Sequence, residues 1–232
     1  MKLDVKNTIR KDDLIMKPKV FLSAGHGGSD PGAVAYGMKE KDINLNIMLA
    51  CNDILVKHGV TTVLSRIKDE NDPVAQEVRE ANASEADIAV SFHTNAGKGD
   101  GSETWYSKGS KKGEHLAELC EKHVKTIGQN SRGVKPSTNL WFVKATTMPA
   151  VICECAFIDN DVDNNIIDTI EEQKTFGLAY AKAILEYFDI DYVEDKPVSW
   201  TVQVGAFSNK ENAIKRCAEI KAAGFEAFVK AK

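Results

Sequence analysis

Short apolar runs alternate with stretches of helical period along most of the chain, and glycine or proline marks the junctions. Residues 19–23 (KVFLS) form an apolar run that opens into the glycine-rich AGHGGSDPGA, the pattern of a strand followed by a loop of special backbone geometry. From 41 to 58, Ile43, Ile47, Ile54 and Leu55 recur at roughly helical spacing before Gly59, which predicts a helix with a glycine stop. TTVLS at 61–65 predicts the next strand, and Asp72-Pro73 reads as a capping residue plus a first-turn proline for a helix to about residue 84. DIAVSF at 87–92 predicts a buried strand leading into His93, with a flexible loop at 97–101. Residues 111–127 carry Leu116, Leu119, Cys120, Val124 and Ile127 on one helical face. Residues 140–143 and 150–155 are further strand candidates, and residues 171–188 predict a closing helix with Phe176, Tyr180 and Ile184 on its core stripe. The alternation implies an α/β fold: a mostly parallel twisted sheet with helices on both faces.

Residues 189–198 (DIDYVEDKPV) are acidic, contain proline and lack periodicity, so they read as a linker. Beyond them the pattern gives a strand, a helix over 210–223 stopped by Gly224, and a strand over 225–229, a small C-terminal β-α-β unit. The expected organisation is an N-terminal extension at 1–17, a main domain at 18–188, the linker, and this unit at 199–232. A segment of that size cannot bury a convincing core alone.

At 232 residues and 43% hydrophobic content, the chain can build one good-sized core and carry an appendage. A net charge of −4 argues against nucleic acid as a partner. No stretch approaches the roughly 18 apolar residues of a membrane span, and the opening MKLDVKNTIRKDDLI lacks a signal peptide's apolar region. Synthesis in the cytoplasm without a signal peptide, and no membrane partner, are therefore expected. The five cysteines read as free thiols. Cys153 and Cys155 flank Glu154 in a probable strand, so alternation turns both sulfurs to the opposite, buried face.

In open α/β sheets the loops at the carboxyl ends of strands form the ligand crevice. His26 follows the first predicted strand, His93 the third, and Glu154 ends a later one; Glu40 sits one loop from His26 and could swing in. Two imidazoles and a carboxylate suffice for a catalytic zinc with one position open to water, and a second carboxylate is then free as a general base. Taken singly each residue is a weak signal, and spacing alone leaves the assignment open. A phosphate cradle is the poorer reading of the glycine-rich loop, because GHGGSDPG lacks the Gly-Lys-Ser/Thr ending.

Over residues 18–188, the stretches GHGGSDPGAVAYGMKEKDINL, VREANASEADIAVSFHTNA, RGVK and MPAVICECAFIDN stand in a family's order. Through them the chain closely resembles the zinc-dependent N-acetylmuramoyl-L-alanine amidases. The resemblance implies His26, Glu40 and His93 as ligands of one Zn2+ per catalytic domain, and Glu154 as the catalytic carboxylate. It implies peptidoglycan as the partner, with cleavage between N-acetylmuramic acid and L-alanine. Such an enzyme would reach the wall after release by phage lysis or mother-cell lysis, as an endolysin or an autolysin. Arg79, Asn95, Trp105 and Trp141 are candidate substrate contacts; Asn82 in REAN and Phe142 are weaker ones. One departure stands out: many relatives carry Asp-Pro before Gly-His-Gly, whereas Ser23-Ala24 stand here, so any support from an aspartate is absent. The alternatives are another zinc peptidase or deacylase acting on wall peptides, and a catalytically idle wall-binding protein.

The C-terminal unit is similar to one half of a SPOR-type peptidoglycan-binding module, through WTVQVGAFSNKENA and AAGFEAFV. Six basic residues (Lys210, Lys215, Arg216, Lys221, Lys230, Lys232) face three acidic ones, a local balance of +3 that suits an anionic wall polymer. A lone half-module exposes Val202, Val204, Phe207, Phe225 and Phe228. The expectation is a homodimer through this unit, docking on the main domain, or a truncated chain.

Overall fold

A computed structural model describes residues 17–194 and 203–230, so nearly all of the expected N-terminal extension lies outside the described residues, as do parts of the linker and of the first C-terminal strand. The chain divides after Val193 into two units. The first contains β1 (Lys19–Ala24), β2 (Val34–Ala35), β3 (Met38–Lys39), α1 (Glu40–Lys57), β4 (Thr61–Leu64), α2 (Val74–Ser84), β5 (Ile88–Asn95) and β6 (Ser102–Ser107). It continues with α3 (Lys111–Lys125), β7 (Ser131–Ser137), α4 (Trp141–Ala145), β8 (Ala150–Phe157), α5 (Asp161–Asn164) and α6 (Ile170–Tyr187); the second unit holds α7 (Lys210–Ala222).

Six strands form one sheet in the order β4-β1-β5-β8-β6-β7. All neighbours run parallel except β6 and β8, which pair antiparallel. The central strands β1, β5 and β8 are buried along nearly their whole length, as their continuous apolar runs require. Helices α1, α3 and α6 cover one face and α2 and α4 the other, each over its own apolar cluster. Ile47, Leu116, Phe176 and Tyr180 belong to the larger cluster, Phe21, Val78 and Phe142 to the smaller.

Several expectations are corrected. Residues 140–143 begin a helix, α4, which turns Phe142 and Val143 inward and leaves Trp141 exposed; a strand would have alternated them. Strands β6 and β7 went unread because their signal is polar or interrupted. Ser102 and Thr104 of β6 are buried through hydroxyls that donate to Glu121, and β7 is an edge strand that tolerates Pro136. Asp72 does not cap α2: Pro73 holds the N-cap position, and the Asp72 carboxylate is buried nearby. The segment read as a linker begins on the first unit, where Tyr192 stacks on His58 and the Val193 N–H donates to His58 Nε2. In the second unit only the helix forms among the described residues. Residues 225–230 form no strand, and α7 buries none of its residues. Among the described residues no helix is long and apolar enough to cross a membrane.

Candidate metal centre and catalytic site

The site begins where β1 ends. Gly25 lies flush against the His93 ring: a Cβ there would stand 2.0 Å from Cε1 and 2.1 Å from Nε2, so only glycine lets the two strand ends approach. His26 then adopts a left-handed conformation, φ 67°, which turns its ring back over the strand ends. Its Nδ1–H donates to Asp30 Oδ2 at 2.8 Å, leaving Nε2 as the nitrogen that faces Glu40, at 3.2 Å.

Glu40 arrives by a separate route. The β2–β3 hairpin turns through Tyr36 and Gly37, both at positive φ, the signature of a two-residue turn matched to strand twist. This delivers Glu40 as the first residue of α1. Its carboxylate meets His26 Nε2 at 3.2 Å and His93 Nδ1 at 3.0 Å, and accepts from the backbone N–H of Thr94 at 3.1 Å and of Ala33 at 2.9 Å. One turn along, Asn44 donates to the Gly25 carbonyl at 3.0 Å and accepts from the Thr94 hydroxyl, tying the helix to both strand ends.

The donor atoms of His26, Glu40 and His93 all lie within 4.8 Å of one another. A tetrahedral zinc with bonds of about 2.0 Å has ligand-to-ligand edges of about 3.3 Å. The two short edges here, 3.0 and 3.2 Å, fit that figure, and a His-Glu-His set is zinc chemistry. The electrostatics ask for a cation as well. The Glu40 carboxylate raises His26 to about 9. Burial pushes Glu40 up, but its hydrogen bonds to the two imidazoles hold it below the usual carboxylate range. Burial lowers His93, yet Glu40 and the other nearby carboxylates leave it raised.

Glu154 stands beside this group. It pairs with His93 across the parallel β5–β8 ladder and with Glu103 across the antiparallel β6–β8 ladder, so the three side chains share one face. It is half-buried, and burial pushes its carboxyl up to about 7. Cys153 and Cys155 are buried on the opposite face, as alternation requires. Next to Glu154 runs a polar chain: Asn95 Nδ2 donates to Glu103 Oε1 at 3.1 Å, and Arg132 Nε donates to Glu103 Oε2 at 2.9 Å. The Arg132 guanidinium also lies over the Phe157 ring, 5.1 Å from its centroid.

The structure thus gathers His26, Glu40, His93 and Glu154 on one rim, with Asn95 beside them. The remaining candidates lie elsewhere. Arg79 is exposed on α2, about 200° around the helix from the buried, site-facing Glu77. Asn82 ties α2 to the loop after α4, donating to the Ala145 carbonyl and accepting from Thr147 N–H. Trp105 packs against the smaller core cluster, and Trp141 is 54% exposed. Asp30, Asn44, Glu103 and Arg132 escaped the sequence reading. Two of them carried a signal: Asn44 lies one helical turn from Glu40, and Arg132 sits in the quoted RGVK.

Two imidazoles sharing one carboxylate at the strand ends of an α/β sheet, with a second carboxylate alongside, define a hydrolase site suited to a metal. Comparison with known proteins makes that class specific. The chain belongs to the N-acetylmuramoyl-L-alanine amidase family, whose profile matches residues 20–186, and a SPOR domain profile matches residues 187–232. It is similar to the N-acetylmuramoyl-L-alanine amidase CwlM of Bacillus licheniformis, 31% identical over 215 residues covering 91% of this chain and 84% of that protein. An endolysin of Bacillus phage SPP1 is 35% identical over 201 residues, 79% of this chain and 74% of the endolysin. Among solved structures, the catalytic domain of CwlV, an amidase from Bacillus (Paenibacillus) polymyxa var. colistinus, superposes with a TM-score of 0.70 at 30% identity. That match covers 76% of this chain and all of that domain.

Proposed function

We propose that this enzyme is a zinc-dependent hydrolase of the amide between N-acetylmuramic acid and L-alanine in peptidoglycan. The observation that carries the zinc is the Glu40 carboxylate, which spans the two imidazoles at 3.2 and 3.0 Å with Glu154 in register beside His93. Zinc held by His26, Glu40 and His93 would polarise the amide carbonyl and acidify a water molecule. Glu154 takes the proton from the attacking water and delivers it to the departing alanine nitrogen. Burial raises the Glu154 carboxyl in the metal-free protein, which favours a group able to carry a proton. Asp30 fixes the His26 ring, while Asn95 and Arg132 hold the Glu103 carboxylate beside the base. Asn95 is the substrate-contact candidate that lies at the reacting end; Trp105 and Trp141 are candidates for wall contact, and Arg79 faces solvent.

In this reading residues 18–188 are the catalytic domain, 189–198 the link, and 199–232 a wall-binding half-module that pairs with a second copy. The enzyme acts on the wall after release from the cell that makes it. Metal analysis of the purified protein tests the zinc: one Zn2+ per chain, lost in His93→Ala together with amide hydrolysis, is expected. Wild-type protein free of zinc yet fully active would end this reading. Light scattering tests the pairing, and a monomer at all concentrations would refute it.

A further inference from the structure

Behind the site lies a polar layer that the chemistry above does not use. Ser23 of β1 pairs with Ser91 of β5, and Ser65 directly follows Leu64, the partner of Leu22. Three serines therefore cross the sheet in one row, two or three residues before His26 and His93. Over this row α2 places Glu77, only 3% exposed, and the Ser23 hydroxyl donates to Glu77 Oε2 at 2.6 Å.

A buried carboxylate needs a compensating positive charge, and Glu77 has no salt-bridge partner among the described residues. Arg66, whose charge does act on Glu77, donates through Nε, Nη1 and Nη2 to the carbonyls of Ala24, Lys68 and Lys41 and forms no ion pair with that carboxylate among the described residues. Lys41 pairs with Asp69 at 2.7 Å. Burial pushes the Glu77 carboxyl up, and the Ser23 hydrogen bond opposes this. Ser91 shares a face of β5 with His93, two residues on, so Glu77, fixed over the serine row, lies one strand repeat behind the metal centre. In an interior of low dielectric, one fixed opposite charge acts strongly on such a site without touching it.

We propose that Glu77 is a positioning residue for the metal centre: its buried carboxylate, fixed by Ser23 beneath His26 and His93, strengthens the binding of a divalent cation by His26, Glu40 and His93. The inference rests on the zinc reading above.

The test is zinc affinity, measured by competition with a chromophoric chelator, beside thermal melts of the zinc-free protein. Glu77→Gln is expected to bind zinc about 10- to 100-fold more weakly. Its zinc-free melting temperature should equal or exceed wild type, since a buried carboxylate with no ion-pair partner has been replaced by a neutral group. Ser23→Ala, which keeps the carboxylate but frees it, should lose a few-fold in affinity. Wild-type affinity in both variants would overturn the proposal, and so would a weaker affinity accompanied by a lower zinc-free melting temperature. A wild-type protein that binds no zinc would sink the zinc reading and this inference together, whereas wild-type binding that Glu77→Gln retains in full sinks only the inference.

Discussion

Replacing Glu154 with glutamine should make the zinc-free protein more stable and the loaded enzyme nearly inactive. The carboxyl stands at about 7 against an ordinary 4.5, because burial disfavours its charge. Between those values the folded chain keeps a proton that the unfolded chain has lost, so stability falls as pH rises through that window. At about 1.4 kcal/mol per pH unit, the folded state above pH 7 carries a penalty of about 3 kcal/mol that glutamine does not. For a protein of this size that is a rise of roughly 6 to 12 °C in melting temperature at pH 8, shrinking toward nothing at pH 4. The same change removes the proton carrier, which costs roughly a hundred- to ten-thousand-fold in rate. The assays are melts in the presence of chelator at pH 4 and 8, and release of amino groups from a muramyl peptide by the zinc-loaded protein. A wild-type rate, or a melting temperature at pH 8 no higher than wild type, would refute the reasoning.

Other consequences follow from the same geometry. Gly25→Ala forces the His93 ring away from a Cβ about 2 Å from its atoms, so zinc content should fall well below one per chain and the fold should lose about 1–3 kcal/mol, read from metal analysis and denaturant melts. Cys51, Cys120, Cys153 and Cys155 are buried and Cys217 is half-exposed, so a thiol reagent should label one cysteine quickly in native protein and all five in denaturant; two or more fast thiols would contradict the packing. Arg79→Ala should leave hydrolysis within about twofold, because that side chain points to solvent rather than to the rim.

What could be read from the sequence follows the strength of its local signals. Strands β1, β4, β5 and β8 and helices α1, α3 and α6 bury continuous or periodic apolar residues, and those patterns appear directly in the chain. His26, His93 and Glu154 were legible for the same reason, since His26 follows such a strand and the other two lie in the last half of one, although β5 and β8 run on past them to Asn95 and Phe157. Glu40 was legible only through resemblance: the hairpin that carries it has two residues per strand, too few for a period. Glu103 and Arg132 were hidden because β6 and β7 are stabilised by hydroxyl-to-Glu121 hydrogen bonds, which leave no apolar pattern. The strand expected at 225–229 failed for the converse reason. Its residues have the right character, but among the described residues of this unit no strand forms to pair with them.

The most direct test of the central claim is the product pattern from purified peptidoglycan digested by the zinc-loaded enzyme. New L-alanine amino termini, without new reducing sugar ends and absent from a chelator-treated control, are what this site predicts. New amino termini on any other residue would contradict it, as would cleavage undiminished by chelator.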